Sequence, residues 1–257
     1  MKILAATTAL SLSFASSLAA AGCEEITFSD VGWTDITATT AATTVILDAL
    51  GYKTDIKILS VPVTYTSMAA GDIDVFLGNW MPTMRTNLTG AKYTLAVNKA
   101  AADMGIKTFA DIAANADALD GKIYGIEAGN DGNRLIQSMI DDDAFGLKDF
   151  KVVESSEQGM LAQVKRATSK GDPVVFLGWE PHPMNSNFDL TYLEGGDDFF
   201  GPDLGGATVK TNTRAGYVKE CPNVGKLLNN LEFTLAMENE IMGAILDDGK
   251  DPAEAAT

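Results

Sequence analysis

Three residues in this chain are typed and placed to do chemistry together. Trp33, Trp80 and Trp179 are the 3 tryptophans of a 257-residue sequence. Each lies just past a glycine where a short apolar run ends: Ile26-Thr27-Phe28 before Gly32-Trp33, Val75-Phe76-Leu77 before Gly78-Asn79-Trp80, and Val175-Phe176-Leu177 before Gly178-Trp179. After the last two, Pro82 and Pro181 forbid continued strand pairing. Indole faces attract cations, and a cleft walled by several of them suits a quaternary ammonium, whose charge is spread over methyl groups that accept no directed hydrogen bond. Each face contributes about 0.5–1 kcal/mol in water and about 2 kcal/mol when desolvated. Three or four rings therefore supply most of the roughly 8 kcal/mol that micromolar affinity requires. Asp35, two residues past Trp33, adds a full negative charge. It favours a net cation over a zwitterion such as a betaine, whose own carboxylate it repels. The competing readings are core tryptophans that simply pack, and an Asp35 that caps the following helix.

Other reactive side chains point elsewhere. The lone histidine, His182, sits between Pro181 and Pro183 and reads as structural. Glu180 reads as a hydrogen-bonding group behind the indole. Asp141-Asp142-Asp143 reads as a solvated helix end, because it lacks the alternating ligands and later Glu of a calcium loop. Met160, Met237 and Met242 read as core filler. No metal site or cofactor is indicated. There is no Gly-x-Ser-x-Gly elbow for acyl chemistry and no phosphate-cradling loop for nucleotide hydrolysis.

The elements that must carry the tryptophans alternate. A strand at Ile26–Phe28, a helix over Ile36–Leu50 stopped by Gly51, a strand at Asp55–Leu59, a helix around Tyr65–Ala70 and a strand at Asp74–Gly78 predict a parallel sheet with right-handed crossovers. Lys92–Val97 reads as a strand crossing into a second unit. That unit holds a helix at Phe109–Ala114, a strand at Lys122–Ile126, and the loop Glu127-Ala128-Gly129-Asn130-Asp131-Gly132 before a helix. A strand at Phe150–Val153, a helix capped by Ser155 or Ser156, and the Val174–Gly178 strand complete it. Leu190–Leu193 reads as the returning crossover and Ala207–Thr211 as re-entry to the first unit, followed by helices at Val224–Leu235 and Met237–Leu246. The fold class expected is α/β with two lobes, each a mainly parallel sheet flanked by helices, and two crossover strands as the hinge. Their expected limits are 22–90 with 205–257, and 91–204. Ligands in such folds bind beyond the carboxyl ends of the strands.

With 35 acidic against 19 basic residues, the formal net charge is −16. That field argues against nucleic acid and anionic membranes as partners. Residues 1–21 read as a secretory signal: Lys2, an apolar stretch from Ile3 to Leu18 too weak to span a bilayer, and a small-residue site at Ala19-Ala20-Ala21. Export to a periplasm follows, and an oxidising compartment lets Cys23 and Cys221 bond. The alternative is a lipoprotein acylated at Cys23. Against it stand Ala20, where leucine is usual, and the unpaired Cys221 it would leave.

The segments Asp30-Val31-Gly32-Trp33-Thr34-Asp35, Phe76-Leu77-Gly78-Asn79-Trp80-Met81-Pro82, Gly129-Asn130-Asp131-Gly132 and Phe176-Leu177-Gly178-Trp179-Glu180-Pro181-His182-Pro183 closely resemble the choline-binding periplasmic proteins of ABC importers, within the wider glycine betaine/choline/proline betaine substrate-binding group. The resemblance covers nearly the whole mature chain. It implies a two-lobe binding protein that closes like a clamp. It implies an aromatic box of Trp33, Trp80, Tyr93 and Trp179, with Asp35 complementing the cation and Asn130 hydrogen-bonding the choline hydroxyl. The implied activity is binding and not catalysis. The resemblance implies a monomer that captures choline and passes it to a permease driven by a cytoplasmic ATPase. Glycine betaine and acetylcholine are the alternative ligands. An enzyme acting on choline esters and a transporter-independent sensor are the alternative classes. Two departures stand out. The segment between Trp80 and Tyr93 is shorter than in relatives, so a first-lobe helix after Met84 is missing. The chain also stops at Ala256-Thr257, where relatives continue. Both predict a less fully packed first lobe.

Overall fold

The computed structural model describes residues 23–80 and 85–257. The expected signal segment and the stretch Met81-Pro82-Thr83-Met84 lie outside the described residues. In chain order the elements are β1 (Glu25–Asp30), α1 (Thr34–Ala49), β2 (Lys53–Ile58), α2 (Val61–Ala70), β3 (Val75–Asn79), β4 (Arg85–Asn98), α3 (Lys99–Asp103), β5 (Lys122–Tyr124), α4 (Asp131–Asp141), β6 (Lys151–Val153), α5 (Glu157–Lys170), β7 (Val175–Glu180), β8 (Leu190–Tyr192) and β9 (Ala207–Thr213), then helices at Pro222–Leu228, Leu235–Leu246 and Pro252–Ala255. The strands order as β2-β1-β3-β9-β4-β7-β5-β6, with β8 also on β4.

Each lobe is built on a parallel trio, as the alternation of apolar runs and helices predicts. In the first, β1 pairs parallel with β2 and β3. In the second, β5 pairs parallel with β6 and β7. Antiparallel strands join the trios. The 14-residue β4 pairs β9 over Arg85–Ala91 and β7 over Lys92–Val97, so one continuous strand passes from lobe to lobe. Chain punctuation falls where the glycines and Asx residues place it. Gly51 (φ 90) and Gly71 (φ 92) end α1 and α2 in the left-handed conformation that other residues resist. Asn98, Asn130 and Ser156 cap α3, α4 and α5.

Some expectations are corrected. Phe109–Ala114 is not an α-helix but two 3-10 turns, Phe109–Asp111 and Ala113–Asn115, the first closed by a Thr108/Asp111 capping box. The α3 helix was not anticipated. The helix expected over Val224–Leu235 stops at Leu228, and past Asn229-Asn230 the Phe233 amide donates to the Asn87 carbonyl at 2.7 Å instead. Leu190–Leu193 does not return to the first lobe. As β8 it pairs antiparallel with Ala96–Asn98, and the chain re-enters through β9. No helix stands between Trp80 and Tyr93 among the described residues, because β4 begins at Arg85.

The second lobe holds one contiguous core running from Leu95 through Phe109, Ile136, Met160 and Phe176 to Leu193. First-lobe apolar residues divide into three smaller clusters around Phe28, Phe76 and Leu88. The Cys23–Cys221 disulfide, Cα atoms 5.5 Å apart, ties the start of β1 to the helix at Pro222–Leu228 across 198 positions. In the chain-entropy model so long a loop contributes about 4–5 kcal/mol.

Candidate ligand-binding site

Between the lobes, Trp33, Asp35, Trp80, Tyr93, Asn130 and Trp179 converge with Ile126 and Asp131 around a small cavity of about 40 Å³, lined almost wholly by carbon.

Four local devices build the walls. Trp33 is the N-cap residue of α1, and its indole N–H reaches over the cleft to donate to Glu127 Oε1 at 2.7 Å. Trp80 follows the fully buried β3, and its ring lies 5.5 Å from that of Tyr93, centroid to centroid. Tyr93 and Trp179 are directly opposed on antiparallel β4 and β7, so the pleat turns both rings to one face. The Tyr93 hydroxyl is locked, donating to Asn130 Oδ1 at 3.0 Å and accepting the Gly132 N–H at 3.1 Å. A Cβ at position 132 would collide with that hydroxyl, so the sequence requires glycine there. Asn130 Oδ1 also accepts the Asn133 N–H at 3.1 Å to cap α4. With its oxygen committed twice, Asn130 has its amide N–H groups left for a ligand, and an acceptor atom is what they match.

The electrostatics are dominated by buried acids. Asp35 is 2% exposed, and its Oδ1 has no hydrogen-bond partner among the described residues. Asp35 is not the N-cap residue of α1: Trp33 holds that position, and the Trp33 side chain makes no capping bond. Burial first, then the nearby Glu157, pushes the Asp35 carboxyl up to about 8 despite its place in the first helical turn. Glu238, on the helix Leu235–Leu246, is pushed up to about 9 by burial and by Asp35. Burial also raises Asp30, Glu127 and the Tyr93 phenol. The cavity thus sets aromatic faces around a buried carboxyl that burial and Glu157 hold toward its protonated form.

All six residues singled out in the sequence meet at this cavity. Ile126 and Asp131 were missed, and so were Glu127 and Glu157 behind the walls. Ile126 looks like an ordinary strand residue and Asp131 like an ordinary first-turn acid of α4, so neither carries a local signal. His182 lies outside the cavity and packs edge-on against Trp179, ring centroids 5.0 Å apart. Glu180 pairs with Lys92 at 2.5 Å. Asp141, Asp142 and Asp143 are exposed at the end of α4. No cluster of metal-binding side chains occurs among the described residues.

Residues 24–257 match the family model described as the substrate binding domain of ABC-type glycine betaine transport system. The chain is similar to a solved ABC-transporter choline binding protein in complex with choline, at 68% identity and TM-score 0.89, covering 91% of this chain and 86% of that one. It is similar to an ABC-transporter choline binding protein in an unliganded semi-closed conformation, at 68% identity and TM-score 0.84, covering 91% and 87%. Lactococcal OpuAC, closed and complexed with glycine betaine, matches at 25% identity and TM-score 0.80, covering 91% and 93%.

Proposed function

Because this chain belongs to the family of substrate-binding domains of ABC-type glycine betaine transport systems, we propose that it captures choline between its two lobes and delivers it to the permease of an ABC importer. The observation that carries this reading is the cavity. Four aromatic rings from both lobes surround a space that holds one buried carboxyl oxygen without a partner. A trimethylammonium group fits among the faces of Trp33, Trp80, Tyr93 and Trp179, each contributing about 2 kcal/mol once water is excluded. Asp35 supplies the countercharge. The Asn130 amide donates to the hydroxyl oxygen, for which its geometry leaves N–H groups available.

Choline is preferred to glycine betaine because a betaine would set its carboxylate beside Asp35, Glu127 and Asp131. The 68% identity to a choline binding protein supports the same choice. The activity is binding without turnover, and the energy for transport comes from the importer's ATPase. The lobes are taken as 22–90 with 205–257, and 91–204, in a monomer exported to the periplasm. No helix among the described residues is long and apolar enough to cross a membrane.

Calorimetric titration with choline, acetylcholine and glycine betaine side by side tests the assignment. The expected result is micromolar or tighter choline binding, glycine betaine at least about tenfold weaker, and choline recovered unchanged. Absence of choline binding, or tighter binding of the betaine, overturns it.

A further inference from the structure

Glu157 is 1% exposed and is not among the residues lining the cavity. It is the first residue of α5, a helix already capped by Ser156, whose hydroxyl accepts the Gly159 N–H at 3.1 Å. Its own helix therefore has no need of its side chain. That side chain crosses the cleft instead. Oε2 accepts the Thr34 N–H at 2.8 Å, and Oε1 accepts the Thr34 hydroxyl. Thr34 opens α1 in the other lobe, and α1 has no capping side chain from its own N-cap residue, Trp33. The 16-residue helix that carries Asp35 thus takes its cap from the opposite lobe, 123 positions away.

A third partner holds the carboxyl in place. His182 Nδ1 accepts the Met184 N–H at 2.9 Å, so its other nitrogen, Nε2, carries a proton toward Glu157 Oε1 at 3.2 Å. With His182 against Trp179, one path of contacts runs Trp179, His182, Glu157, Thr34, Trp33. It joins a wall of the second lobe to a wall of the first. Among the described residues, the other side-chain hydrogen bonds between the lobes, Trp33 to Glu127 and Asn187 to Asp247, are part-buried or exposed and compete with water.

We propose that Glu157, held by His182, is the latch of the closed cleft: a helix cap supplied across the lobes that fixes Trp33 and Asp35 opposite Trp179. It is a positioning residue and touches no ligand. The inference deepens the proposed function and relies on it for the ligand used in one arm of the test.

That arm is stopped-flow binding of choline to wild type, Glu157→Gln and Glu157→Ala. Loss of the cap raises koff about tenfold with kon unchanged, while the ligand-free thermal midpoint of the isosteric Glu157→Gln falls by no more than about 2–4 °C, the cost of one cap. Wild-type koff in both variants overturns the latch. So does a larger fall in the ligand-free midpoint of Glu157→Gln with both rate constants altered, which marks a merely structural residue. Wild type that fails to bind choline refutes the ligand assignment instead. A second arm then decides without ligand: hydrogen exchange at the Thr34 amide of the ligand-free protein. Faster exchange in Glu157→Gln than in wild type supports the latch, and equal exchange overturns it.

Discussion

The two lobes meet the same cavity in opposite ways. On the second-lobe side, the Tyr93 hydroxyl and the Asn130 side-chain oxygen are bonded to each other and to α4, and Trp179 rests on one contiguous core. On the first-lobe side, order is thinner. The buried polar atoms without a partner among the described residues (Asp35 Oδ1, Thr40 Oγ1, Trp80 Nε1, Asn87 Oδ1 and Tyr217 OH) all belong to it. So do the exposed large apolar side chains, Ile46, Leu50, Ile56 and Ile58 among them, with Met104 the exception. Both acids pushed to about 8 or 9, Asp35 and Glu238, are there too. A wall with its polar groups paired therefore faces one that keeps unpaired polar atoms. On the proposed function, shape would be set by the second lobe and charge selection by the first.

This contrast can be broken most severely at the staple of the weaker side. Replacing Cys23 and Cys221 together by serine is expected to lower unfolding free energy by about 4–5 kcal/mol. Denaturant melts followed by hydrogen exchange should place the loss in β1, α1 and the helix at Pro222–Leu228, with β5 to β7 spared. Equal loss in both lobes would contradict the asymmetry.

On the stronger side, Trp179→Ala removes one desolvated ring and is expected to weaken choline binding about 30-fold. Fluorescence titration reads the change, and affinity within threefold of wild type would remove the aromatic box.

The charge-selecting side should respond to pH. Asp35, an acid raised from 3.8 to about 8, is expected to be mostly protonated in the empty protein at pH 7. A cation beside it favours the ionised form, so binding releases a proton below pH 8. Choline affinity is then expected to rise about tenfold between pH 7 and pH 9. For folding, the sign is opposite. Raised acids favour the empty folded protein at low pH; that contribution is full below their ordinary values of 3.8 and 4.5, fades as pH climbs, and is gone above about 8 for Asp35 and about 9 for Glu238. Calorimetry in buffers of different ionisation enthalpy counts the proton, and Asp35→Asn should abolish it.

The smallest effect sharpens the contrast instead of breaking it. Tyr217→Phe deletes a buried hydroxyl that has no partner among the described residues while keeping the ring against Arg214. Stability is expected to stay level or rise by about 1 kcal/mol. A loss of 2 kcal/mol or more in thermal melts would mean the hydroxyl has a role.

Much of the site was legible because its signals are local. A glycine and a tryptophan after a Val/Phe/Leu run mark a strand exit whatever surrounds them, and three such exits converge. Asn130 was legible as a cap, and its side chain does cap α4. What stayed hidden depends on distant partners. Glu157 resembles any first-turn acid, and nothing near it in sequence announces Thr34. Asp35 next to a helix start looked equally like a cap, and only its burial separates the two roles. Likewise β8 reads as a crossover strand because its partner is set by tertiary register and not by its own three residues. The turns at Phe109–Asn115 carry a helical pattern too short to sustain α geometry against the Thr108/Asp111 box.

The central claim is that rings from both lobes and one buried carboxyl recognise charge spread over methyl groups. The most direct test is competitive titration of choline against 3,3-dimethyl-1-butanol, which has the same shape with carbon in place of the charged nitrogen. Choline is predicted to bind at least about a hundredfold more tightly. Equal affinity for the two would show that the cavity selects shape alone and would contradict the account.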